Sequence, residues 1–159
     1  MNLQKILFVI FTLFVFNISF CQNNNNYQEK LKTIETLGFN ITVPETWKYN
    51  RLIGLDSFVG EFIGTNIHLK FDMSTNGYAS NLNGYKKDLK NYTVEFDTIG
   101  DYARKIIIPK NNNSKNIIGM YISNITSKFD FKISGYNLDI NQVKTIITAF
   151  KSIEITIDQ

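Results

Sequence analysis

Apolar and polar residues alternate along much of this chain, and that pattern predicts β-strands. Phe39, Ile41 and Val43 alternate with polar residues after Gly38, and Pro44 ends this strand. Further strands are predicted at 47–53, 58–63, 67–73, 92–99, 102–108, 117–125, 128–134 and 152–157. Since most of them follow each other across short turns, we expect a series of antiparallel hairpins.

Two of these hairpins carry an explicit prediction of register. A turn at Gly64 to Asn66 would place Phe62 opposite His68 and Phe58 opposite Asp72. A two-residue turn at Gly100 and Asp101 would place Asp97 opposite Arg104. The second hairpin therefore predicts a cross-strand ion pair.

Helical spacing occurs in three places. Residues 27–37 fit a short helix, with a strand nearly as plausible, and residues 78–89 carry apolar side chains at helical spacing, which predicts a helix there. The closing helix is the clearest, since Asp139 and Gln142 form a capping-box pattern ahead of the apolar stripe Val143, Ile146, Ile147 and Phe150. Hairpins with helices set among them predict an α+β fold, in which helices flank an antiparallel sheet.

The first 21 residues have the layout of a secretory signal peptide. A short start with one positive charge precedes the apolar run 6–16, which is too short to span a bilayer, and small residues at Ser19 and Cys21 favour cleavage before Gln22. The alternative is a lipoprotein anchored through Cys21. We therefore expect residues 1–21 to be the signal, 22–37 a leader with a short element, and 38–157 one domain. The protein would be exported to the periplasm or the medium, with no transmembrane helix after cleavage.

Composition removes several classes of function. Lys5 is the only charged residue of the expected signal, so its removal lowers the net charge from +3 to +2. A net charge this small does not indicate a protein that binds nucleic acid. Cleavage after Cys21 leaves no thiol for catalysis or metal binding. With a single histidine and scattered carboxylates, the chain shows no zinc or calcium ligand spacing. We expect neither a metal nor a cofactor.

Two segments hold the candidate binding residues. His68 and Asp72 share one face of a predicted strand with Lys70. Tyr78 and Asn81 belong to the polar loop that follows this strand, and such loops on a rigid scaffold often bind ligands. Solvation of the strand face and capping of a helix explain the same residues without any ligand. No catalytic constellation is evident, and Trp47 after Pro44 is predicted to fill the core.

The segment Gly38-Phe39-Asn40-Ile41-Thr42-Val43-Pro44-Glu45-Thr46-Trp47 resembles the opening of PsbP-like proteins, and Phe150-Lys151-Ser152-Ile153 is similar to their close. The segments 55–60 and 71–81 also resemble small exported bacterial proteins. This resemblance implies an α/β/α sandwich and an envelope location, without catalytic residues. The expected function is non-catalytic binding of an envelope protein or a small ligand. The alternative is a small hydrolase that uses the face of His68 and Asp72.

Overall fold

The computed structural model describes residues 29–77, 79, 82, 88–111, 117–124, 126 and 128–157. Ten strands and one helix lie in this part of the chain. They are β1 (Leu31–Glu35), β2 (Phe39–Pro44), β3 (Lys48–Arg51), β4 (Phe58–Gly64), β5 (Ile67–Ser74), β6 (Tyr92–Ile99), β7 (Tyr102–Pro109), β8 (Ile117–Asn124), β9 (Phe129–Tyr136), α1 (Ile140–Lys151) and β10 (Glu154–Ile155).

The strands form two antiparallel sheets. The large sheet has seven strands in the order β3-β4-β5-β9-β8-β7-β6, and the small sheet has three in the order β1-β2-β10. Apolar residues of β2 pack onto the large sheet, with the ring of Phe39 centred 4.7 Å from that of Phe131 and 5.1 Å from that of Phe71. The small sheet and α1 therefore cover one face of the large sheet, which we call the inner face.

Helix α1 begins and packs as its sequence predicts. The side chain of Asp139 accepts hydrogen bonds from the backbone N–H groups of Asn141 and Gln142, and the Gln142 side chain accepts one from the Asp139 N–H in return. Val143, Ile146 and Phe150 are buried in the core. At the other end of the helix, the guanidinium of Arg104 on β7 donates to the Phe150 carbonyl. A buried cation thus anchors the helix C-terminus to the large sheet.

The expected α+β class, with an α/β/α sandwich flanked by helices, is wrong. Strands make up 56% of the described residues and helix only 11%, all of it in α1. Residues 31–35, for which the sequence slightly favours a helix over a strand, form β1 and pair with β2. Pairing satisfies the backbone of β2, which would otherwise be an open edge of the small sheet on that side. The layer over the inner face is therefore mostly sheet.

The register predicted for the 58–73 hairpin is also wrong, by one residue. Gly64 pairs with Ile67 across a two-residue turn of Thr65 and Asn66, where Asn66 adopts a φ of 56°. His68 consequently lies opposite Ile63, and Asp72 lies opposite Val59. A slip of one residue would exchange the faces of the strand, whereas the observed register pairs Phe62 with Leu69 on the inner face.

Other sequence predictions are confirmed. Asp97 pairs with Arg104 in the 92–109 hairpin, and their side chains form an ion pair through two hydrogen bonds. Trp47 is buried, and its indole packs so closely on Gly64 that a Cβ there would lie 2.5 Å from the indole nitrogen. The predicted helix at 78–89 lies largely outside the described residues.

The outer face of the large sheet is divided into two parts. Over β6, β7 and β8, Leu82 packs with Tyr92, Ile107 and Ile117 in a second apolar cluster. The chain between β5 and β6 therefore places Leu82 on the apolar half of this face. Beside that half, the polar residues of β5 and β9 line an open groove.

A candidate binding groove on the outer face

The outer-face groove has a volume of about 490 Å³ and lies over β5 and β9. Strand β5 alternates between buried and more exposed residues, so its apolar side chains enter the core and its polar ones face outward. Strand β9 pairs antiparallel with it and adds its own outward residues. The groove is lined by His68, Lys70, Phe71, Asp72, Lys132, Ser134, Tyr136 and Asn137.

His68 at one end of the groove is paired with a carboxylate on β4. Its Nε2 lies 2.6 Å from Oε2 of Glu61, whose other oxygen accepts a hydrogen bond of 3.2 Å from the Asn50 side chain. The hydrogen bond with His68, and next the one with Asn50, hold the pKa of Glu61 below its ordinary value. Glu61 therefore stays ionised and orients the imidazole, half of whose surface remains exposed.

Asp72 lies too far from His68 to pair with it. Four residues of an extended strand span about 13 Å, and His68 forms its side-chain hydrogen bond with Glu61 instead. One oxygen of Asp72, Oδ1, is buried and accepts no hydrogen bond within the described residues. A buried carboxylate oxygen without a donor is costly and rare in folded proteins. This atom is the strongest chemical anomaly in the groove.

Two lysines stand on the same face as Asp72. Lys132 is its cross-strand neighbour on β9, and Lys70 precedes it by two residues on β5. Neither ammonium group forms an ion pair with a described residue, although Lys70 lies opposite Glu61 in the register. Tyr136, which is half exposed, adds an aromatic ring to the groove. The groove therefore offers one unsatisfied acceptor, two cations and a ring.

Tyr121 on β8 lies next to the groove. It is the cross-strand neighbour of Lys132 on β9, which in turn lies opposite Asp72 on β5. Its hydroxyl donates a hydrogen bond to Asp130, and the ammonium of Lys105 lies 5.2 Å from the centre of its ring. Burial, and then the contact with the Asp130 carboxylate, raise the pKa of Tyr121 to about 12. The Tyr121 hydroxyl is therefore neutral at physiological pH, and its hydrogen bond to Asp130 holds the side chain in place beside the groove.

The predicted site residues have different outcomes. His68, Lys70 and Asp72 all line one groove. Along β5, His68 and Asp72 are the outer two and Lys70 lies between them. Tyr78 and Asn81 lie outside the described residues. Sequence reasoning missed Glu61, Lys132 and Tyr136. A two-residue turn at 65–66 would have placed Glu61 diagonal to His68, and pairing β5 with β9 would have brought in Lys132.

The part of the chain that the structure describes holds no cluster of three or more potential metal-ligating side chains. In the same part, no helix combines the length and the apolar character that crossing a bilayer requires. Comparison of the chain with protein-family models, with curated proteins and with solved structures finds no match. The groove must therefore be interpreted from its own chemistry.

Proposed function

We propose that this protein is an exported, non-catalytic binding module of the bacterial envelope, and that the outer-face groove holds its ligand. The observation that carries the proposal is the buried Oδ1 of Asp72, which lacks a hydrogen-bond donor within the described residues. A ligand that donates a hydrogen bond to this carboxylate would remove the cost of leaving it unpaired. Because the terminal torsion of aspartate is broad, we expect rotation of the carboxylate to present this oxygen to a bound donor.

The charges around Asp72 favour a ligand that carries both signs. An ammonium group suits Asp72, while a carboxylate or phosphate suits Lys70 and Lys132. Tyr136 provides an apolar surface for the body of such a molecule. Free amino acids and short peptides have this chemistry, and a groove of about 490 Å³ has room for them.

Thermal unfolding with matched ligands tests this proposal. A dipeptide should raise the melting temperature of the protein, whereas its N-acetylated form and its C-terminal amide, each lacking one charge, should not. Asp72→Asn and Lys132→Gln should abolish the effect. Asp56→Asn in an exposed loop and Lys144→Gln on α1 serve as charge-matched controls. Equal responses to all three forms, or an unchanged response in Asp72→Asn, would reject the groove as the site.

A hydrolase is the second candidate, and the 2.6 Å contact between His68 and Glu61 is the observation that favours it. In such a pair the carboxylate orients the histidine, which can then act as a general base. Within the described residues no side-chain hydroxyl hydrogen-bonds with His68, so this part of the chain shows no side-chain nucleophile for the pair to activate. His68→Ala separates the candidates: it should abolish turnover by an enzyme, and leave ligand binding at Asp72 within about twofold of the original affinity.

A further inference from the structure

The loop between β3 and β4 exposes an unusual number of apolar side chains. Ile53 is 100% exposed and Leu55 is 105% exposed, so neither packs against the rest of the protein. Leu52 and Phe58 at the base of the loop are each 41% exposed. Loops of soluble proteins are normally built from polar and turn-forming residues. We call residues 52–58 the apolar loop.

Backbone contacts within the apolar loop and between its two ends fix its conformation. The N–H of Leu52 donates to the Val59 carbonyl over 3.0 Å, which closes the loop. A Cβ on Gly54 would lie 2.2 Å from the Ser57 carbonyl oxygen, so the chain folds tightly at this point. Ile53 and Leu55, on either side of this glycine, are both fully exposed, and we call these two aliphatic side chains the prongs.

A second turn adds to the same end of the molecule. Leu37, in the turn between β1 and β2, is exposed and lines a narrow crevice together with Arg51 and Phe58. Exposed apolar side chains from both sheets therefore meet at one end of the sandwich. Other exposed apolar residues, such as Leu89 at 61%, lie elsewhere on the surface.

The chemistry at the base of the loop indicates a lipid surface as the occupant. The guanidinium of Arg51 lies 5.9 Å from the centre of the Phe58 ring and forms no ion pair with a described residue. A cation at the base of an exposed apolar loop matches the order of a bilayer, in which anionic headgroups lie above acyl chains. Asp56 is the one carboxylate within the loop.

We propose that the apolar loop inserts Ile53 and Leu55 into the surface of an anionic bilayer, with Arg51 at the level of the phosphates. Insertion at this end leaves the outer-face groove, which lies on a face of the large sheet, open to solvent. The inference is independent of which ligand the groove holds.

A fluorophore attached at the prong tests this proposal. The exported protein carries no free thiol if Cys21 is removed or acylated, so Ile53→Cys supplies a single labelling site for an environment-sensitive dye. With vesicles of phosphatidylethanolamine and phosphatidylglycerol, we expect a blue shift and a severalfold rise in emission. The dye on Leu89→Cys, an exposed apolar position in the turn before β6, should not respond. Circular dichroism verifies that both labelled variants are folded.

Further variants define the interaction. In the labelled protein, Leu55→Ser should weaken partitioning about tenfold, the order expected for withdrawing one aliphatic side chain from apolar surroundings. Arg51→Gln should weaken binding to phosphatidylglycerol vesicles and leave the weaker binding to phosphatidylcholine unchanged. No change at Ile53→Cys, or equal changes at both labelled positions, would overturn the proposal. So would an emission rise that depends on protein concentration without vesicles, since that result identifies a second copy of the chain as the occupant.

Discussion

Replacing Asp72 should stabilise the protein while abolishing ligand binding, and both effects follow from the same buried oxygen. Oδ1 of Asp72 accepts no hydrogen bond within the described residues, and an unsatisfied buried polar group costs about 1–3 kcal/mol. Asp72→Val removes that cost. It also places a β-branched side chain opposite Val59, which suits a strand. We expect Asp72→Val to gain about 1–2 kcal/mol of unfolding free energy over the parent, and Asp72→Asn to gain less.

Urea unfolding followed by tryptophan fluorescence measures this change, because Trp47 is the only tryptophan and is buried. Asp56→Val in the exposed loop is the matched control and should alter stability by no more than about 0.5 kcal/mol. A loss of about 1 kcal/mol or more in Asp72→Val would contradict this prediction, since it would show that the chain itself satisfies this carboxylate. A double-mutant cycle with Lys132→Gln supplies a second check. A coupling above about 1 kcal/mol would mean that the two residues pair with each other and are not reserved for a ligand.

Three further predictions concern the framework around the groove. Arg104→Met should cost about 2–3 kcal/mol of unfolding free energy, because it removes charged hydrogen bonds to Asp97 and to the C-terminus of α1; Asp97→Asn is the control, and an equal loss there would show that the helix contact contributes nothing. Tyr121→Phe should remove an ionisation near pH 12 from the absorbance titration at 295 nm. Because the folded pKa of Tyr121 lies above its ordinary value of 10.0, its contribution to stability should be complete below pH 10 and decline as the pH rises toward 12; a titration that Tyr121→Phe leaves unchanged would contradict the assignment. Gly60→Ala should cost about 1–3 kcal/mol in urea unfolding, since the new Cβ would lie 2.5 Å from the Phe71 ring; a change below about 0.5 kcal/mol would show that the ring moves aside freely.

Local signals in the sequence were sufficient for the elements that depend on neighbouring residues. The capping box at Asp139 and the apolar stripe that follows it predict α1, and the tight turn at Gly100 predicts the pairing of Asp97 with Arg104. In each case the residues that decide the structure lie within about ten positions of each other. The physical cause is therefore visible in a short window of sequence.

The elements that failed depend on distant parts of the chain. Residues 31–35 become a strand because β2 is available for pairing, and no property of those five residues alone distinguishes a strand from a helix. The register predicted for the hairpin at Gly64 was wrong by one residue, because its composition is compatible with a turn of two residues and with a turn of three. With the wrong register, the proximity of Glu61 to His68 could not be predicted.

The candidate site was partly visible in the sequence for the same reason. His68, Lys70 and Asp72 share a face by simple alternation along β5, so the strand alone identifies them. Lys132 joins them only through pairing of β5 with β9, about 60 residues further along the chain. The unsatisfied state of Asp72 depends on everything packed around it. Only the three-dimensional structure makes that property visible.

Binding of a ligand of both charges in the outer-face groove can be measured by a titration followed with ¹H–¹⁵N correlation spectra. With a dipeptide, we expect saturable shifts of amide signals in 68–72 and 132–136, and no such shifts with the N-acetylated or C-amidated forms. The same dipeptide should leave these signals unmoved in Asp72→Asn. Shifts confined to other parts of the protein, or equal shifts with all three forms, would contradict a groove that binds a ligand of both charges.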